Sequence, residues 1–444
     1  MHSPTMSVAI LDRASSPRPD LEPAARSAPS SWVRRLISRF ALLAFGLFHL
    51  PLIPNDYPTL GGGGFRPDGL SRAWGEVFGQ VGLWVARHIF GRTGPMPEGL
   101  SGDNGDTAEE YGRLLVAVVV AAIAAAIWTA ADRRRPRARW VEPALHLLLR
   151  YAIALGLASY AIAKLYPVQF GTLSRLALET RVGELHPMGL LWRFMEYSQP
   201  YSVFAGAMEL AVVLLLSFRR TSTLGALLCL PVLANVALMN FCYSVPVKLF
   251  STSMVVSAAV LVLYDARRIL GALGLGPVLP RAVEPVLSRR AYLVGWGLKI
   301  VLIGGVIASS VYDMRRLVIE RADRPVSPVE GTWRVQSFVT AGRELAQTAE
   351  PARWRRLVVD AGRAAIRFED ERLERCTSQI DDAAHTLTLD CARIHQAGTL
   401  HWARHGDTVQ LDGTFDHAPV TVVLQRLDEA QLRLLSTRFE WTFD

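Results

Sequence analysis

Glu209 and Lys164 are the residues of this chain whose type and setting most invite chemistry. Each interrupts an apolar run. Glu209 lies about nine residues into Tyr201–Phe218, and Lys164 lies near the end of Leu145–Tyr166. A charge deep in hydrocarbon costs roughly 2.5–3.5 kcal/mol on insertion scales, so it persists only with a partner or a task. A carboxylate and an ammonium on neighbouring helices can accept and release a proton, or hold the polar end of a lipophilic ligand. They can equally pair and tie two helices together, and the sequence leaves both readings open. Asn235 and Asn240 in Leu224–Phe241, Lys248 at the start of Val247–Tyr264 and His49 near the end of Leu36–Ile53 are further candidates for one polar cluster. Asn235 is an alternative partner for Glu209. Lys164 and Lys248 can also reach the interface along their own stems.

A second group lies outside the runs, in 167–199. His186 precedes a short helical stretch, Gly189–Tyr197, on which Arg193 and Glu196 stand three residues apart and can pair on one face. Other chemistries lack their residues. No Cys-x-x-Cys occurs, so neither a dithiol pair nor a Cys-based zinc site is recognisable. His401 and His405 fall on a strand and turn, where they do not converge, and His146 and His186 are too isolated for haem ligation. No metal is expected. Cys229 and Cys242 are thirteen residues apart on one run, roughly 20 Å along a helix axis, and cannot bridge each other.

The elements that must position these residues are seven apolar runs. Besides the four named above and Leu145–Tyr166, they are Leu114–Ala131 and Tyr292–Val311. A helix of ~20 residues crosses the ~30 Å hydrocarbon core. Arg34, Arg35, Arg39, the cluster Arg133–Arg139, Arg219, Arg220, Arg267, Arg268, Arg281, Arg289 and Arg290 then fall on one side. The positive-inside bias makes that side cytoplasmic, with the N-terminus inside and the C-terminal domain outside. The expected location is a bacterial inner membrane, with the C-terminal domain periplasmic or extracellular. The formal net charge of +8 follows from this placement. Its partners are lipid headgroups, not nucleic acid. Residues 1–31 read as a disordered cytoplasmic tail, 32–53 as an uncleaved first span, and 54–111 as an outside loop. Within that loop Gly61–Gly64 is a flexible linker, and 70–88 is an amphipathic helix lying in the outer interface. The remaining bundle spans 112–311.

From Gly331 the hydrophobic period becomes two. Candidate strands are 333–339, Trp354–Asp360, Ala364–Glu369, Leu373–Ile380, Thr386–Ala392, Thr399–Arg404, Thr408–Phe415, Val420–Arg426 and Leu432–Phe443. Short strands at this spacing predict a sandwich or small barrel over 329–444. Cys376 and Cys391 flank the turn at Asp381–Ala384, which puts them near each other on adjacent strands. A disulfide and two buried free thiols are both compatible with that placement. Gly331-Thr332-Trp333 resembles the opening of lipocalin-like barrels, and the resemblance implies a late Arg, here Arg438, covering Trp333.

Runs three to six, about 145–268, resemble the DoxX family of bacterial four-helix membrane proteins. The residues that carry the likeness are Ala161-Ile162-Ala163-Lys164-Leu165, Met208-Glu209-Leu210 and Arg219-Arg220-Thr221-Ser222-Thr223-Leu224-Gly225-Ala226. Asn240-Phe241-Cys242-Tyr243-Ser244-Val245-Pro246-Val247-Lys248-Leu249 is similar to the larger members with an extra C-terminal domain, Ser244 standing where Asp is expected. The same core looks distantly like that of vitamin-K-dependent carboxylase proteins. The DoxX resemblance implies a component of a membrane redox system that binds a quinone or similar lipophilic molecule, with a redox partner protein supplying electrons. Whether the chain is itself an enzyme stays open. The alternative is a non-enzymatic carrier that passes lipid or another small apolar ligand between the bilayer and the barrel. In that case Trp333, Val335, Val339, Val420, Val422 and Leu424 would line a cavity; otherwise they fill a solid core.

Overall fold

A computed structural model describes residues 32–49, 70–92, 106–132, 140–277, 288–347 and 350–436. The expected tail at 1–31, the glycine linker at 61–64, the Arg133–Arg139 cluster, Arg281 and Arg438 lie outside these residues. The helical part comprises α1 (Trp32–His49), α2 (Leu70–His88), α3 (Ala108–Ala131), α4 (Val141–Leu165), α5 (Arg175–Glu179), α6 (Pro187–Tyr197) and α7 (Gln199–Ser217). It continues with α8 (Ser222–Cys242), α9 (Lys248–Tyr264), α10 (Ala266–Ala272), α11 (Arg289–Lys299) and α12 (Gly305–Ala322). Capping side chains mark where several begin. Thr107 Oγ1 accepts from the Glu110 amide to start α3, and Ser198 Oγ accepts from the Tyr201 amide to start α7.

The core is a four-helix unit. α4 lies along α7, α7 on α8, α8 on α9, and α9 returns to α4. Leu149, Ile153, Leu157, Val213, Leu216, Leu233 and Met254 fill its centre. Around it, α1 packs on α3 and α4, α2 on α3, and α12 on α4. Gly82 and Gly112 permit the α2–α3 contact, because a Cβ on Gly112 would stand 2.5 Å from the Gly82 carbonyl oxygen. Exposed Val118, Val119, Ile123 and Ile127 on α3, and Leu293, Val294, Ile300 and Val301 farther on, form an apolar outer face suited to lipid.

Among the described residues, five helices are long and apolar enough to cross a membrane: α3, α4, α7, α8 and the continuous Leu293–Ala322. The α9–α10 pair, bent by 61°, makes a sixth if it is counted as one broken span. The described part of the expected first span, α1, is not among them, because Arg34, Arg35 and Arg39 lie within its 18 residues; residues 50–53 of that span lie outside the described residues. α1 joins the bundle through ion pairs, Arg34 with Glu142 and Arg39 with Asp132. The last run is longer than expected. A π-turn at Ile300–Gly304 joins α11 to α12, and the helix continues to Ala322, eleven residues past Val311. An Arg316–Glu320 pair at 2.6 Å supports this extension.

The C-terminal part is a closed barrel. Its strands are β1 (Gly331–Thr340), β2 (Arg343–Glu344), β3 (Trp354–Asp360), β4 (Arg363–Phe368), β5 (Leu373–Asp381), β6 (Thr386–Cys391), β7 (Gln396–His405), β8 (Thr408–Phe415) and β9 (Ala418–Arg426). Neighbours in sequence pair antiparallel from β3 to β9. β1 pairs with both β3 and β9 and so closes eight strands, with β2 an extra hairpin arm. Eight strands leave an interior that side chains can fill. Trp333, Val335, Leu357, Ile366, Leu389, Leu411, Val422 and Leu424 do so, all within one buried cluster. Trp354 meets Phe415 edge to face at 5.0 Å, and Trp333 Nε1 donates to the Val329 carbonyl at 2.9 Å. Val339, at the strand end, is only half-buried.

One expectation at the barrel end needs correction over the residues described. Within Leu432–Phe443, the described residues form a short helical turn, Arg433–Ser436, and no strand. Pairing of β1 with β9 leaves no open edge there for another strand. Among the described residues Arg426, on the strand that closes the barrel, stands 5.8 Å from the Trp333 ring centroid; Arg438, expected over that ring, lies outside them.

Cys376 and Cys391 stand opposite each other on β5 and β6 and are joined by a disulfide, fifteen residues apart in sequence. Closing a loop of that length stabilises by about 3 kcal/mol in the chain-entropy account. Because each barrel strand finds its partners within 331–426, residues 329–444 expressed alone should give a strand-rich circular dichroism spectrum. Cys376→Ala should lower the midpoint of that domain by several degrees. A helix-rich or disordered spectrum would contradict the closed barrel, and an unchanged midpoint would contradict the bridge.

Candidate functional site

The α4–α7 contact places Lys164 against Glu209. Lys164 Nζ donates to both carboxylate oxygens, at 2.9 and 2.8 Å. Lys164 is 8% exposed and Glu209 2%. Gly206, one turn before Glu209, makes the reach possible. A Cβ there would stand 2.8 Å from the Ala161 carbonyl oxygen and 2.8 Å from the Lys164 Cβ. The pair sits at the last turn of α4, opposite the middle of α7. Below it lies the apolar core, and beside it Ile162, Ala163 and Met314 pack with Tyr166 and Val168. The ammonium is also 5.6 Å from the Tyr160 ring centroid.

Bidentate pairing satisfies the carboxylate and uses two of the three ammonium N–H groups. Removing one member of such a pair leaves an uncompensated buried charge. The arrangement can hold a proton-exchanging pair out of water and still offer one N–H, beside an aromatic ring, to an acceptor atom of a ligand.

The other intramembrane candidates do not join it. Asn235 is exposed on α8, so it is not the partner of Glu209. Asn240 is buried at the far end of α8, and its Nδ2 has no hydrogen-bond partner among the described residues. Lys248 is held elsewhere. Asp106 accepts from the Lys248 and Leu249 amides at 2.8 and 2.9 Å and from Lys248 Nζ at 3.2 Å. That carboxylate caps the start of α9, where the helix dipole favours an anion. His49 is buried with Nε2 3.3 Å from Ser257 Oγ, its ring parallel to Phe45. The expected single polar cavity is therefore a buried pair plus separate structural contacts.

In the segment between α4 and α7, His186 is exposed before α6 and its side chain does not cap that helix. Arg193 pairs with Glu196 at 2.6 Å. These three are not brought to Lys164 by any described hydrogen bond. Cys229 is buried and Cys242 exposed, both as free thiols. Among the described residues no group of three His, Cys, Asp or Glu gathers as a metal site would require.

Three arrangements of charged residues are not legible as such in the sequence. Arg150, inside an apolar run, donates through Nε and Nη2 to the Leu216 carbonyl at 2.9 and 2.7 Å, capping the end of α7. Its position within Leu145–Tyr166 was the available signal. Arg39 pairs with Asp132 beneath Trp128, 4.7 Å from the ring centroid. The third is the seam between the barrel and the segment joining α4 to α7. Arg367 of β4 donates to Glu179 Oε1 at 2.9 Å, to Glu184 Oε1 at 2.6 Å and to the Glu179 carbonyl at 2.6 Å. Arg175 reaches Asp360 at 3.4 Å and Glu429 at 3.0 Å. The Arg367 guanidinium holds the Glu184 carboxyl below its ordinary value. The barrel is thereby fixed directly over the loop that leaves Lys164.

No family model matches this chain, and no solved structure matches it. A stretch of 143 residues, 32% of the chain, is 29% identical to "Uncharacterized protein YwoB" of Bacillus subtilis (strain 168), covering 91% of that protein.

Proposed function

We propose that this protein is a DoxX-like component of a membrane redox system, in which the Lys164–Glu209 pair holds a quinone or similar lipophilic molecule. The observation that carries this reading is a bidentate, buried ion pair whose third ammonium N–H meets no acceptor among the described residues, beside the apolar core of the four-helix unit. These residues fit such a ligand. Lys164 would donate to a carbonyl oxygen, the Tyr160 ring would lie beside the head group, and Glu209 would keep the ammonium charged and oriented. When bound, a quinone supplies two-electron, two-proton carrier chemistry, with the electrons coming from a partner redox protein. The chain's own share is to bind, to exclude water and to hold a proton at the Glu209 carboxylate or Lys164 Nζ. The carrier alternative asks the barrel to hold ligand, and the interior positions that would line such a site are packed against one another.

A saturable rise in melting temperature on adding a short-chain quinone to the detergent-solubilised protein is the expected result. No rise at any concentration would contradict the reading.

The proposal includes orientation. Arg219, Arg220, Arg267, Arg268, Arg289 and Arg290 fall on the side of the bundle where α1 begins, so that side is cytoplasmic and the barrel outside. Alkaline phosphatase fused after Asp444 should be active, and a cytoplasmic reporter at the same point inactive. The reverse pattern would overturn the orientation.

A further inference from the structure

The seam between barrel and bundle opens into a cavity of about 180 Å³. Its charged walls are Glu179 and Arg181 from the α4–α7 segment, Arg355, Arg356 and Arg367 from β3 and β4, and Glu371 from the turn after β4. Four guanidiniums thus face two carboxylates. Glu184, which grips Arg367, brings a third carboxylate and still leaves positive charge in excess.

A purely structural seam needs its charges matched, and one member of this set shows how that is done. Arg367 is 2% exposed at its side chain, and its Nε and both Nη atoms are engaged by Glu179, Glu184 and the Glu371 carbonyl. The other three are used differently. Arg181 and Arg355 share the single carboxylate of Glu371, and Arg356 makes one bond to Glu179 at 3.0 Å. A guanidinium carries five N–H donors, so most donors of these three meet no protein acceptor among the described residues. Arg375 adds a fifth guanidinium beside the cavity-lining Thr180, at 3.5 Å. Planar guanidinium forks converging on a small polar cavity match the oxygens of a phosphate group.

We infer that this cavity binds a phosphate anion, either the headgroup phosphate of an anionic lipid or free phosphate. The segment leaves α4 at Leu165 and enters α7 at Gln199. The cavity therefore lies on the side of the bundle where α4 ends and α7 begins, the side on which a lipid headgroup could reach it. Phosphate there bridges Arg181 of the segment to Arg355 and Arg356 of the barrel, and so ties the two parts together.

The test uses the full-length protein in maltoside micelles, which contribute no phosphate. Inorganic phosphate and phosphatidylglycerol are titrated separately against matched chloride, and melting temperature is followed. A saturable rise with phosphatidylglycerol alone identifies the lipid as the source, and a rise with inorganic phosphate identifies the free anion. Arg181→Gln/Arg355→Gln should weaken half-saturation at least tenfold, while the ligand-free midpoint stays within a few degrees, because Arg367 still holds the seam. Should the double variant be poorly folded, Arg355→Gln alone should weaken binding, and Arg355→Lys should weaken it less. Neither ligand exceeding chloride, or the Gln variants responding as the parent does, would overturn the proposal.

Discussion

Glu209→Gln should sharply reduce the folded yield of the protein. The substitution leaves the Lys164 ammonium buried against a neutral amide, and stranding one partner of a buried pair costs about 3–5 kcal/mol. Removing both charges is milder. Lys164→Met in the Glu209→Gln background should recover much of the lost stability, because an apolar side chain of similar length then fills the same space. Thermal unfolding of the two single variants and the double variant, in one detergent, measures the coupling. Additive losses would show that the residues do not depend on each other. Gly206→Leu should mimic the singles by forcing α7 away from α4, since even a Cβ at that position lies 2.8 Å from the Lys164 Cβ.

The second large effect is expected at Arg367. Arg367→Met removes the hydrogen bonds to Glu179 and Glu184 and leaves the Glu179 carboxylate, itself buried, with only Arg356 as its cation. A loss of about 3 kcal/mol in docking follows from removing charge-assisted hydrogen bonds to a buried carboxylate that keeps one cation. Hydrogen exchange should then accelerate in 175–184 while the barrel strands keep their protection, because the barrel is closed by its own pairings. Unchanged exchange in 175–184 would mean that the seam does not hold the two parts together. Acid should act in the same direction. The Arg367 hydrogen bonds hold the Glu184 carboxyl below its ordinary 4.5, and the Arg324 hydrogen bonds do the same for Glu330 at the barrel entry. A carboxyl depressed in the folded state contributes stability that is fully present above its unfolded value and is lost as pH falls through the folded value. The seam should therefore be pH-insensitive near neutrality and loosen below about 4.5.

What the sequence made legible was mostly local. The apolar runs gave the core helices because a helix of such residues is recognisable without its neighbours. The period of two gave the barrel strands, and the turn at Asp381–Ala384 placed Cys376 beside Cys391 because a hairpin sets its own register. The partners that organise the candidate site are distant in the chain, and of these only the Lys164–Glu209 pair was legible, as one of two alternatives, because each charge stands out in an apolar run. Lys164 meets Glu209 forty-five residues away, Asp106 caps α9 from 142 residues away, and Arg367 meets Glu179 from 188 residues away. Asn235 and Lys248 were grouped with Glu209 by depth alone, and depth does not say which face of a helix a residue occupies. Alternation reads Leu432–Phe443 as a strand, whereas Arg433–Ser436 is a helical turn, because the pattern does not reveal that β1 and β9 already close the sheet. The arginines of α1 were legible as an orientation signal but not as the ion pairs with Glu142 and Asp132 that seat it.

The central claim is that the Lys164–Glu209 pair holds a lipophilic molecule and is not only a brace between helices. Native mass spectrometry of the full-length protein, released gently from its membrane, tests it most directly. The parent protein should carry a stoichiometric adduct with the mass of a quinone or a similarly apolar molecule. The stable Glu209→Gln/Lys164→Met variant should lack that adduct while remaining folded. A parent protein without any such adduct, or a double variant that retains it in equal amount, would contradict the account.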